Sequence, residues 1–367
     1  MPLDARTDRA LEACRDAILA PSRWPSALQS LAESLGAASC TFYTRHPLET
    51  PWKLKVPVSA AHEEFADLWL RNEADAPCPH IERCKAIACR DSIVEHQIST
   101  EEERKTLPYY QETARRGRRE WFAMANFSVQ GRRWSLPVYR GDDRGPFTPH
   151  EARRLARIGP HVAKIVSLAE KFAAFDVASK LSAMERLRCA AVVIDGDGRA
   201  RQLNLSAQDL LGDDFNLVRG RPVAHDPASN RRLQQLASSA LHAEARDARP
   251  YRPVVIDRDE APWLLVEAMP ITAFGSDLFS PGRVILLLTD LTSAQRPDTT
   301  RLSIAFGLTT AEAKLTAQLA GGGGIDAAAA SLGVSRETAR SQLKAVFAKT
   351  NTRRQAELAA LVARLRS

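Results

Sequence analysis

The strongest constraint on this chain is residues 306–365, FGLTTAEAKLTAQLAGGGGIDAAAASLGVSRETARSQLKAVFAKTNTRRQAELAALVARL. Thr309-Thr310-Ala311-Glu312 reads as a capping box, in which the Thr309 hydroxyl takes the amide of residue 312 and Glu312 reaches back. A scaffold helix burying Leu315 and Leu319 is expected to follow and to end at the glycines 321–324. No Lys-Ser/Thr follows those glycines, which excludes a phosphate-cradling P-loop. A short helix is expected over 325–332, then Gly333 in the left-handed conformation of a tight turn, then Ser335 as N-cap of another helix. Ala329 is small enough for the two helices to cross closely. Ala339, Leu343, Val346 and Phe347 recur at core spacing. Arg336, Glu337, Arg340, Ser341 and Lys344 fall on the opposite side, a polar stripe with three cations that suits a major groove.

Charge points the same way. From Arg301 to Ser367 there are ten Lys/Arg against four Asp/Glu, so this small region carries +6 of the net +7. A basic head on a near-neutral body is an electrostatic footprint of nucleic-acid binding.

Leu308-Thr309, Glu312, Ala329, Leu332, Val334-Ser335, Thr338, Arg340, Phe347 and Lys349 together resemble the four-helix DNA-binding domains of the LuxR/FixJ (NarL-like) family. The resemblance implies that Arg340, Ser341 and Lys344 touch bases, beside Arg336 on the same stripe. Ser335 and Thr338 would touch the DNA backbone, and Lys349, Arg353 and Arg354 would reach phosphates. The chain departs from the family at Asp326, where a phosphate-contacting lysine is common, at Ala327, where Glu is usual, and in its glycine run. An aspartate there suits the helix dipole but repels DNA, so weaker nonspecific affinity is expected. The last helix places Leu358, Leu361, Val362 and Leu365 on one stripe. In the family such a helix pairs two heads into a homodimer on a two-fold symmetric operator. Packing on the chain's own scaffold helix is the alternative.

Upstream, strand–turn–strand at 190–204 with Asp195-Gly196-Asp197-Gly198, a helix over 229–245 and strands at 252–256, 263–271 and 283–289 resemble a PAS domain. Cys189 is read as core, and no residue stands out as a cofactor ligand, His225 included. The first 147 residues alternate helices (9–19, 24–35, 60–71, 101–116) and strands (39–44, 121–129, 134–139), and resemble a GAF- or PAS-like sensor. The expected architecture is therefore multidomain α+β: two GAF/PAS-like antiparallel-sheet sensor domains, at 1–147 and 188–292, and an all-α four-helix LuxR-type helix-turn-helix domain at 303–367. A connecting helix spans 148–187 and a linker 293–302. In the connecting helix Leu155, Ile158, Val162, Ile165, Ala169 and Phe172 form a seam for a short coiled coil, or for packing on its own domain. Gly159-Pro160 is expected to kink it.

Cys78, His80, Cys84 and Cys89 cluster within twelve positions. Soft sulfur and imidazole ligands suit zinc or haem, and clustered thiols suit a redox switch, although the spacings match no zinc knuckle. No apolar leader opens the sequence and no eighteen-residue apolar run occurs, so a cytoplasmic location without membrane spans is expected. No catalytic motif is present. These features imply a DNA-binding transcription regulator, dimeric, governed by a small-molecule or redox effector whose identity the sequence leaves open. The alternative is a protein-interaction regulator that dimerises with another transcription factor and binds DNA weakly.

Overall fold

The computed structural model describes residues 3–44, 58–63, 79–87, 90–241, 251–258, 263–271, 279–280, 282–291 and 298–365. The chain divides into two compact units, Met1–Glu260 with Leu264–Thr289, and Ala261–Trp263 with Asp290–Ser367. Both α-helices and antiparallel sheets are present, and no described helix is long and apolar enough to cross a membrane.

The larger unit has two lobes. In the amino-terminal lobe, helices α1 (Ala5–Leu19) and α2 (Trp24–Ser34) precede a five-stranded antiparallel sheet of β1 (Ser39–Cys40), β2 (Tyr43–Thr44), β3 (Ser92–Val94), β4 (Trp121–Val129) and β5 (Arg132–Arg140). Helix α1 starts earlier than the expected residue 9 because Asp4 caps it, accepting the amides of Arg6 and Thr7. Strand β5 is central, with β1 and β2 on one side and β4 then β3 on the other. Alternation along β4 and β5 separates two cores. Ala123, Ala125, Trp134, Leu136 and Val138 face α1 and α2, whereas Phe122, Met124 and Tyr139 face the other side with Cys84, Ile93 and Ile98. On that second face lie α3 (Pro79–Ala86), α4 (Glu101–Thr106) and a π-helical turn, Tyr109–Ala114. The expected helix over 101–116 is broken at Leu107-Pro108, because a residue before proline is driven out of the helical region, and Leu107 is extended. Of the helix expected over 60–71, the described part is a 3-10 turn, Ala60–His62, and the remainder lies outside the described residues.

The seam in the connecting segment is buried at home. Helix α5 (Pro149–Arg186) runs for 38 residues, opened by a Thr148/Glu151 capping box. Leu155, Ile158, Val162, Ile165, Val166 and Ala169 complete the amino-terminal core, and Val177 and Leu181 pack on the second lobe. The expected coiled-coil residues are thus used inside the chain, except Phe172, which is partly exposed beside exposed Leu168 and Phe175. The helix continues through Gly159-Pro160, where it lies against β4 beside the Asn126 carbonyl and Phe127.

The central lobe is a second antiparallel sheet in the order β10-β11-β12-β6-β7, built from β6 (Ala190–Ile194), β7 (Ala200–Leu203), β10 (Val254–Ile256), β11 (Leu264–Pro270) and β12 (Val284–Asp290). Asp195 accepts the amides of Asp197 and Arg199 and pairs with Arg201, which closes the Asp-Gly-Asp-Gly turn. Asn204 caps the short helix α6 (Leu205–Gln208) and bonds the Ala191 amide. A hairpin of β8 (Phe215–Val218) and β9 (Arg221–Ala224), not anticipated from the sequence, turns at Arg219-Gly220, both at positive φ as such a turn requires. Helix α7 (Pro227–Leu241) covers the sheet with Leu233, Leu236 and Ala240. Cys189, expected in the core, is exposed just ahead of β6.

The smaller unit contains α8 (Thr299–Phe306), α9 (Thr310–Ala320), α10 (Ile325–Leu332), α11 (Arg336–Thr350) and α12 (Gln355–Arg364). The expected linker at 293–302 therefore ends in a helix: Asp298 caps α8 and Leu302 is fully buried in the head's core, so five described helices replace the expected four.

Candidate nucleic-acid interface

Helix α9 is the post around which the head is built. Its capping box forms as expected: the Glu312 amide donates to Thr309 Oγ1 at 3.3 Å, and the Thr309 amide to Glu312 Oε2 at 2.7 Å. One side carries Leu315 and Leu319, against Ala328, Ala329 and Ala339 from α10 and α11. The other carries Ala313 and Ala317, against Leu302, Val346, Leu358 and Val362. Leu343 borders both cores. The glycine run is held from outside, since Gln355 Nε2 donates to the Gly323 carbonyl at 2.8 Å.

The turn between α10 and α11 has the geometry its sequence implies. Gly333 ends α10 at φ 66°, and the Val334 amide returns to the Ala329 carbonyl at 3.1 Å. Ser335 then caps α11, accepting the Thr338 amide at 3.1 Å. Ala339 and Val346 point into the cores, and their burial sets the rotation of α11. Consequently Arg336, Arg340, Ser341 and Lys344 are all exposed on one side, next to exposed Ser335 and Thr338 at the amino end. Arg353 and Arg354 are exposed past the carboxy end, where Asn351 takes a left-handed conformation.

Two of these cations have intramolecular partners. Arg336 Nε lies 2.6 Å from Asp326 Oδ1, so the acidic departure at the start of α10 is paired across the turn. Both groups are more than half exposed, and such a pair is weak and open to competition. Lys349 Nζ lies 2.6 Å from Glu312 Oε2, whose side chain is only 10% exposed. Lys349 hydrogen-bonds Glu312, and with the Thr309 amide this holds the Glu312 carboxyl below its usual pKa. Lys349 thereby links α9 to α11, with two ammonium donors left over.

The last helix does not offer the expected apolar stripe. Leu358 and Val362 are fully buried in the head's own core, Leu365 packs against it, and Leu361 is half-buried. Of the two readings of this stripe, pairing of heads or packing on the scaffold helix, Leu358 and Val362 make the second contact within the chain. Ile304 on α8, which the sequence reading did not single out, is 81% exposed.

The cysteine cluster is only partly described. Cys78 and Cys89 lie outside the described residues, Cys84 is buried, and among the described residues no group of three or more His, Cys, Asp or Glu could hold a metal. His80 belongs to a buried network instead. Its Nε2 is 3.1 Å from Glu95 Oε2, its ring stacks on Phe122 at 4.4 Å, and Tyr110 donates its hydroxyl to Glu95 Oε1 at 2.5 Å. Burial opposes ionisation of Glu95, but the charge and hydrogen bonds of His80 and the Tyr110 hydroxyl outweigh it and hold the carboxyl low. Glu95 and Tyr110 were not anticipated, because nothing in their local sequence marks them. Two other buried thiols resist ionisation: burial raises Cys14 to about 12 and lifts Cys40 well above its usual value. Neither is suited to thiolate chemistry.

No protein-family model matches the chain, and no curated protein matches it. Among solved structures it is similar to the N-acylhomoserine-lactone-dependent LuxR-family transcription factor CepR2 from Burkholderia cenocepacia, at 15% identity over 46% of this chain and 95% of that one, with a TM-score of 0.29. It is also similar to phage VqmA in its complex with DPO, at 15% identity over 51% and 88%, TM-score 0.24. A third likeness is to the complex of DhaR(N) with DhaL from E. coli, at 11% identity over 78% and 91%, TM-score 0.20. None of these scores is high enough to equate folds.

Proposed function

We propose that the chain is a DNA-binding transcription regulator, with the larger unit as the sensor and the smaller as the head that reads a promoter. The observation that supports this most is the rotation of α11. Burial of Ala339 and Val346 leaves Arg336, Arg340, Ser341 and Lys344 exposed together, behind a glycine turn and a serine cap. In this reading Arg340, Ser341 and Lys344 contact base edges, and Ser335, Thr338, Arg353 and Arg354 contact phosphates. Lys349 positions α11 and reaches a phosphate with its remaining donors. Arg336 exchanges Asp326 for phosphate on binding, so Asp326 lowers affinity for any duplex and leaves discrimination to the bases. A homodimer would place two heads on a two-fold symmetric site.

The test is binding of the full chain to a pool of random-sequence duplexes by fluorescence anisotropy, with selection of the bound sequences. Arg340→Ala with Lys344→Ala should weaken binding to the selected duplex by about a hundredfold, from two contacts of about 1–3 kcal/mol each, while the melting temperature holds. Failure to bind any duplex at low salt would sink the proposal. The protein-interaction alternative loses support, because Leu358 and Val362, the stripe on which it relied, are interior.

A further inference from the structure

Helix α5 does not bury all of its large apolar residues. Leu168, Phe172 and Phe175 are 51%, 37% and 71% exposed, although Ala169 and Val177 beside them lie in the cores of the two lobes. The steps between the three are four and three, so they form one stripe along the helix. The next members of that series, Ser179 and Ser182, are exposed as well. From Leu168 to Ser182 the stripe covers about four helical turns, with bulky residues first and small ones after. A whole large side chain presents about 150–250 Å², so the three leave about 300 Å² of apolar surface in water. A contiguous apolar patch of that size commonly marks a contact site.

The charges beside the stripe point to what covers it. As a heptad, the stripe puts Phe172 and Ser179 at a, and Leu168, Phe175 and Ser182 at d. Lys171 then stands at g and Asp176 at e. In a parallel pair of helices a g residue faces the e residue five positions on in its partner. Lys171 would therefore meet Asp176 of a second copy, and the two-fold symmetry would repeat the pair on the other side. In an antiparallel pair g faces g, and Lys164 and Lys171, both at g, would set lysine against lysine. Lys171 is exposed. Asp176 is partly exposed and pairs with Lys180 one turn on, and a carboxylate has room for a second cation. An anionic membrane surface would favour cations alone on this rim, and Asp176 opposes that occupant.

We propose that Leu168, Phe172 and Phe175 form the surface by which two copies of this chain associate, their α5 helices parallel and side by side, with Lys171 of each paired to Asp176 of the other. Apposed, the two patches remove about 600 Å² of apolar surface, the centre of a standard interface of about 1,600 Å² whose rim falls to the flanking turns. This seam differs from the expected one, whose members from Leu155 to Ala169 are interior. The inference supplies the contact for the homodimer proposed above and rests on that reading. Its test involves no DNA. A dimer that survives disruption of the stripe removes this inference alone, and a chain that pairs as described but binds no duplex removes only the reading of the head.

The experiment is sedimentation equilibrium of the full chain across micromolar concentrations. Phe175→Glu changes an exposed side chain and should weaken association by about a hundredfold or more, since each copy loses an apolar contact and gains a like charge. Lys171→Glu and Asp176→Lys should each weaken it by about tenfold, because either one turns two attractive contacts into repulsive ones. The exchanged chain, carrying both Lys171→Glu and Asp176→Lys, should regain most of that loss. Positions five apart on one helix do not face each other, so the recovery reports a contact between chains in parallel order. A chain that stays monomeric throughout the range overturns the proposal. So does a dimer indifferent to Phe175→Glu, or an exchanged chain no better than either single variant. Should Asp176→Lys not fold, Phe175→Glu and Lys171→Glu decide alone.

Discussion

The head and the amino-terminal lobe treat charge in opposite ways. In the head the ion pair of Arg336 with Asp326 lies on the surface with both partners more than half exposed. In the lobe, His80 and Glu95 meet at 5% and 2% exposure, locked by Tyr110 beneath an aromatic stack. An exposed pair costs little to break and can exchange its partner for a phosphate. A buried pair must stay satisfied, because removing one member leaves buried polar atoms of the other without that partner. The head is thus arranged for exchange of contacts at its surface, and the lobe for holding an internal geometry.

The contrast makes its largest demand on Glu95. Replacing it with Ala should destabilise the larger unit by about 3–5 kcal/mol, read as a lowered urea midpoint. A loss below 1 kcal/mol would show that the network is not tightly held. Next comes the head's interior, where Leu358→Ala should cost about 2–5 kcal/mol. Sedimentation at matched concentration should show an unaltered oligomeric state, and dissociation on this substitution would restore the dimer role to α12.

A third, pH-dependent effect sits between these extremes. Burial alone would raise the Glu151 carboxyl, but hydrogen bonds from Arg140 and from the Thr148 amide and hydroxyl outweigh it and hold its pKa at about 2. The folded value lies below the unfolded one near 4.5, so its stabilisation is complete above about pH 5 and is lost as pH falls towards 2. Melting temperature followed from pH 5 to 2 should fall less steeply in Glu151→Gln than in the unsubstituted chain. The smallest effect belongs to Asp326→Ala, which should change stability by less than about 1 kcal/mol. It should nonetheless tighten nonspecific duplex binding, and unchanged binding would leave Asp326 without an electrostatic part.

The same contrast explains what could be read from the sequence. Thr309, Gly333, Ser335 and Ala339 act over three to five positions, so their spacing encodes the turn and the facing of α11 before any tertiary contact is known. The destination of an apolar stripe is different information. Leu358 and Val362 repeat at one period whether the partner is α9 or another chain, and only the fold decides between them. His80, Glu95 and Tyr110 are brought together by helix α3, a 3-10 turn at Glu95–Gln97 and a π-helical turn, with no repeat linking their positions. The β8–β9 hairpin escaped notice because its turn, Arg219-Gly220, lacks the Asn-Gly or Asp-Gly signature.

Helix α5 is a core element of the amino-terminal lobe up to Ala169 and of the central lobe from Val177 onward. A continuous helix advances about 1.5 Å and turns about 100° with each residue. One residue inserted between those two blocks would therefore swing one lobe around the other by more than a quarter turn. Seven would bring it nearly back into phase but about 10 Å displaced. The stretch between Ala169 and Val177, which contributes Ala173 to the amino-terminal core and Glu170 to a pair with Arg132, thus fixes the relation of the lobes by its length.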